Sequence, residues 1–155
     1  MTKFLLSVHV LAAIIAIGPI TVAASMFPAV ARRAATEPEP GQQITILRTL
    51  HRISRVYAFI GVIVPVFGFA TANSLGVLGD TWLIVSIALT AVAAGILALS
   101  VLPRQERILA DLTATPPTTD PRSRARLAMY TGAFNLLWAT VTVLMIVRPG
   151  STTGA

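Results

Sequence analysis

Four long runs of apolar residues, free of charged side chains, constrain this chain more than any other feature. They cover residues 4–31, 56–78, 82–102 and 127–147. About 20 apolar residues in a helix cross the roughly 30 Å of bilayer hydrocarbon, so each run is long enough to span. Hydrocarbon offers the backbone no hydrogen bonds, which leaves helices and closed barrels as the spanning structures. No period-two alternation appears, so the barrel is excluded and an all-α, four-transmembrane-helix bundle is expected. With 55% hydrophobic and 12% charged residues in 155, the composition lies far from that of a soluble domain, where about 25% are charged. The bundle is read as one domain over the whole chain, with connecting loops at 32–55 and 103–126.

The charges then orient the spans. Arg32, Arg33, Arg48, Arg52 and Arg55 separate runs one and two, and Arg104, Arg107, Arg122, Arg124 and Arg126 separate runs three and four. Lys3 and Arg148 stand alone on the other side. The positive-inside rule places both long loops in the cytoplasm and both termini outside, in a multi-pass plasma-membrane protein. The net charge of +6 is therefore a topology signal and not a nucleic-acid surface. Arg48, Arg52, Arg55, Arg122, Arg124 and Arg126 are expected to meet anionic inner-leaflet headgroups, at about 1 kcal/mol each near the surface. The stretch from Met1 to Ser25 also has some look of a cleavable signal. Its apolar run is too long, Gly18-Pro19 interrupts it, and cleavage would strand five arginines outside, so the first helix is read as retained.

Local signals fill in the rest. Residues 42–57 read as an amphipathic helix, with Ile44, Leu47 and Leu50 on one side and Arg48, Arg52 and Arg55 on the other, running into span two. Pro19 and Pro65 lie inside spans and remove the bonds to the Ile15 and Gly61 carbonyls; each is read as a packing kink. Span three is expected to bend or stop near Pro103, followed by a short interfacial helix with Ile108, Leu109 and Leu112 towards lipid. Residues 113–120 form a link, and Asp120-Pro121 opens the last helix. Ser86, Thr90, Ala94 and Ala98, with Gly95 beside them, make a small-residue packing seam, within the chain or against a partner. Asn135 and Trp138 are expected to join helices through hydrogen bonds.

The chemical inventory is short. There is no cysteine, no acid inside a span, no metal-ligand spacing and no nucleophile triad or phosphate loop. A proton-coupled transporter would hold an ionisable group mid-membrane, so transport is the least supported class. Two histidines remain. His9 shares a face with Leu5, Ala12, Ala13 and Ala16. It reads either as a ligand of haem iron or as a packing histidine bonded to Asn135, Trp138 or a freed carbonyl. His51 begins the second span beside Arg52 and Arg55, roughly 25 Å from His9 along the normal, so the two cannot share one iron.

The stretch Leu6-Ser7-Val8-His9-Val10-Leu11-Ala12-Ala13 with Ile17-Gly18-Pro19 resembles the first helix of a bacterial predicted integral-membrane family of unknown function. Leu50-His51-Arg52-Ile53-Ser54-Arg55 resembles its second signature. That family is distantly similar to copper-resistance membrane domains and to the haem-associated protoporphyrinogen oxidase type, which also place a histidine early in helix one. The resemblance implies a haem or metal role for His9 but supplies no activity and no further ligands. The expected function is a non-catalytic accessory or assembly subunit, with a membrane-protein partner or a second copy. The alternative is a haem- or porphyrin-associated redox protein using His9.

Overall fold

The computed structural model describes residues 2–118 and 120–150. It is all helical over them: α1 (Thr2–Ala34), α2 (Gly41–Ile60), α3 (Ile63–Leu75), α4 (Thr81–Ile96), a wide π turn (Leu97–Val101), α5 (Leu102–Thr113) and α6 (Pro121–Val147). Four rods long and apolar enough to cross a membrane result, the second and third each made of two joined helices.

Each break or continuation follows from proline chemistry. Pro65 has no N–H for the Gly61 carbonyl, which accepts instead from Val64 N at 3.1 Å. Val62 N likewise bonds the Phe59 carbonyl at 3.2 Å, and this tight turn divides α2 from α3. Pro19 and Pro28 leave α1 helical throughout. Of the bend or stop expected near Pro103, the stop does not occur. The extra residue of the π turn immediately before this proline widens the helix, and the rod runs on through α5. Gly76, at φ 69°, closes α3: its N–H reaches the Asn73 carbonyl while Val77 N reaches Ala72. Asp120 caps α6, accepting from Arg122 N and Ser123 N, with Pro121 in the first helical position.

Alpha1 is the central rod, packed against α2, α3 and α6, while α4 packs on α6. The rods are longer than the bilayer requires. Thirty-three residues of α1 rise about 50 Å, some 20 Å more than the hydrocarbon. The surplus lies at the arginine-rich end. There α2 and α5 pack together and extend the bundle, so the two expected loops are largely helix. The main core belongs to this end: Ile20, Ala24, Phe27 and Ala31 meet Leu47, Leu50, Leu97, Val101, Ile108, Leu112, Leu127 and Phe134. Ile108 and Leu112 are thus buried within the protein rather than turned to lipid, because α2 presents its own apolar stripe for them to cover. At the far end a small cluster of Ala72, Trp82 and Leu83, with Val77 and Met145, ties α3, α4 and α6.

Candidate functional site

His9 is buried between α1 and α3. Its Nδ1 lies 3.0 Å from the Val64 carbonyl, which can only accept, so Nδ1 carries the proton and Nε2 the lone pair. The partner is neither Asn135 nor Trp138, and it is not the carbonyl that Pro65 releases, but that of the residue just before the proline. The ring lies so close to Gly68 that a Cβ there would stand 2.8 Å from His9 Cε1. Glycine at 68 is what lets α1 and α3 approach closely enough for this bond.

A proton held on Nδ1 by a carbonyl is the arrangement that leaves Nε2 able to ligate a metal. The remaining residues offer little more. No group of three His, Cys, Asp or Glu side chains that could hold a metal occurs among the described residues. His51 is thirteen residues from Val64, roughly 20 Å along the rod, and cannot reach the same ion. The side chains of one chain therefore fit a single axial ligand.

His51 has a different role, which sequence reading missed. Its Nδ1 donates to Gln105 Oε1 at 3.1 Å, and Gln105 Nε2 reaches Ser54 Oγ at 3.5 Å. Gln105 and Ser54 are fully buried. This polar link joins α2 to α5 inside an otherwise apolar core. Only the periodicity of α2 hinted at it, since Ser54 continues the Leu47–Leu50 stripe. Beside it, the Arg104 guanidinium lies 4.3 Å over the Tyr130 ring and donates to the Ser100 carbonyl at 3.2 Å.

The expected seam on α4 divides in two. Ser86 is fully buried and Thr90 half-buried, each bonded to the carbonyl four residues back. Ala94 and Ala98 are exposed, and Ala93, Leu97 and Val101 line the interior instead. Steps of four advance about 40° around a helix, so three steps carry the ridge about 120° out of the interface. Outward, Ala88, Ala91, Ala94 and Ala98 are exposed, and nothing lies within 4 Å of a Cβ added at Gly95. Large side chains are exposed on both rods, Phe59, Val62, Val66 and Phe69 on the second and Ile84, Ile87, Val92 and Leu99 on the third.

On α6, Asn135 Nδ2 donates to Ser25 Oγ of α1 at 2.9 Å, the helix-joining role expected of it. Asn135 Oδ1, Trp138 Nε1 and Thr131 Oγ1 are buried without partners among the described residues. Trp138 joins the core through its ring, edge-on to Phe134 at 6.3 Å. Of the expected headgroup arginines, Arg48, Arg52, Arg55, Arg122 and Arg126 are exposed and Arg124 is half-buried.

Long apolar rods, a spare polar inventory and a charged end together define a small polytopic integral membrane protein with four spanning helices. Residues 3–149 match the model of a family described as predicted integral membrane protein (DUF2269), and the chain belongs to that family. No curated protein matches the chain. No solved structure matches it either.

Proposed function

We propose that this protein is a non-catalytic accessory or assembly subunit of a larger membrane complex in the plasma membrane, with both termini outside. The observation that carries the reading is the outward side of α4. Alanines at 88, 91, 94 and 98 are exposed around an open glycine at 95, between the larger exposed side chains of Ile84, Ile87 and Leu99. In hydrocarbon, helices associate through close backbone approach, and small residues permit it. The same face fits a helix of another membrane protein or of a second copy. Affinity capture in mild detergent, comparing the natural chain with Gly95→Leu, tests it. A partner lost in the variant while the fold and melting behaviour persist supports the reading; a chain that copurifies with nothing in either form refutes it.

A second reading rests on His9. With Nδ1–H committed to Val64, Nε2 is the atom that would hold a haem iron, and a haem bound there would bring redox chemistry that the side chains lack. The chain's own part would be to hold the imidazole and exclude water. Reconstitution with haem decides: a Soret band lost in His9→Ala and kept in His51→Ala supports this reading, and the absence of any band in the natural chain removes it.

A further inference from the structure

We propose that Arg104, laid on the Tyr130 ring, is a binding site for the phosphate of an anionic lipid at the arginine-rich boundary of the bilayer. The position comes first. The charge-free stretch of the third rod ends at Leu102, so Arg104 is its first cation, and a cation at the end of an apolar span belongs at the level of the headgroup phosphates. Ser54 touches Gln105, which puts their neighbours Arg55 and Arg104 at one level on α2 and α5. Two cations therefore share that level.

Order comes second. Exposed arginines such as Arg48 or Arg122 must give up side-chain freedom to hold a ligand. Arg104 is already immobilised: half-buried, 4.3 Å over Tyr130, and tied by Nη1 to the Ser100 carbonyl at 3.2 Å. That carbonyl belongs to the π turn, an irregularity that often marks functional positions in helices. One of five guanidinium N–H groups is used by Ser100. The ring occupies a face and leaves the edge, with its remaining donors, for a bidentate phosphate.

Charge balance comes third. Glu106 is two residues on, about 200° around α5, and so on the opposite side; Asp111 shares the face of Arg104 but lies about 10 Å farther along the rod. Neither carboxylate is placed to neutralise the guanidinium. Arginine's planar fork, and not charge alone, makes the site selective for phosphate oxygens.

Native mass spectrometry from micelles holding equal phosphatidylglycerol and phosphatidylcholine reads the preference directly. Arg104→Ala should cut the retained ratio of anionic to zwitterionic lipid about fivefold, and Arg107→Ala, which removes an equal but exposed charge, by clearly less. Arg104→Lys should recover part of the preference, and Tyr130→Leu should lower it with the charge intact. Equal losses in Arg104→Ala and Arg107→Ala overturn the proposal in favour of a diffuse charge effect. Displacement of the lipid by excess inorganic phosphate would make the site one for soluble anions and overturn the lipid assignment. If Arg104→Ala does not fold, Tyr130→Leu decides, and an unchanged lipid ratio in that variant overturns the pre-ordering on which the site depends.

Discussion

Replacing Gly68 with alanine tests the contact between α1 and α3 most sharply, because its effect should change sign with the residue at position 9. The added Cβ would meet His9 Cε1 at 2.8 Å, too close for any ordinary contact. The ring is pinned by its bond to Val64, so either it swings away and loses that bond or the two helices separate. An interhelical hydrogen bond in a bilayer is worth about 1 kcal/mol. Overpacking costs typically 1–3 kcal/mol. Alanine returns about 0.5–1 kcal/mol over glycine in a helix interior. Gly68→Ala should therefore destabilise by about 1 kcal/mol, the larger of the two costs less the helix-propensity gain. His9→Ala alone should cost about 1 kcal/mol. In the His9→Ala background the obstruction is gone, and Gly68→Ala should stabilise by about 0.5–1 kcal/mol. Equilibrium unfolding in mixed micelles titrated with a denaturing detergent measures all four corners of the cycle. Effects that add to within about 0.5 kcal/mol would refute the contact, since separated sites behave that way.

Three further outcomes are expected. A reporter fused at Thr118 should be cytoplasmic and one after Ala155 external; an external signal at Thr118 reverses the orientation drawn from the arginines. Thr131→Val, which keeps the shape and removes a buried hydroxyl without a partner, should leave stability unchanged or raise it by up to about 1 kcal/mol, whereas a loss in thermal unfolding would mean the hydroxyl is bonded. Gln105→Leu should cost about 1–3 kcal/mol by leaving the His51 and Ser54 groups it serves unpaired, and His51→Ala should add little in that background, as a double-mutant cycle would read.

How much of this was legible in the sequence depends on how local the cause is. The four spans rest on uninterrupted apolarity, and the matching rods are present. The stripe of Leu47 and Leu50 and the Asp120-Pro121 start are properties of single helices, and they are where periodicity and capping put them. Pro103 was read as a bend or a stop because proline disrupts the regular ladder; the π turn absorbs it, and whether a helix pays for that widening depends on the core waiting at Ile108 and Leu112. The exposure of Ala94 and Ala98 follows from the drift of a four-residue ridge around the helix, which the spacing implies, whereas which part of that ridge α6 covers is set by tertiary packing. His9 was singled out for its chemistry, but its partnership with Val64 and Gly68 depends on the register of two rods 55 residues apart in sequence. The link of His51, Gln105 and Ser54 is of the same kind.

The uneven placement of the core gives the molecule a stiff end and a compliant end. Where Leu47 and Leu50 of α2 pack with Ile108 and Leu112 of α5, beyond the charge-free spans, separating the rods would expose apolar surface to water, and the hydrophobic effect resists it. Towards the other surface the rods are bathed in acyl chains, which are as apolar as the side chains they would replace, and the small cluster around Trp82 and the His9–Val64 bond hold them. Thinning or stretching of the surrounding bilayer would thus be taken up by splaying at the Trp82 end, as the arms of a clothes peg open about a fixed spring. His9 and Gly68 lie on those arms, so the closeness of their contact becomes a gauge of the lateral pressure around the protein.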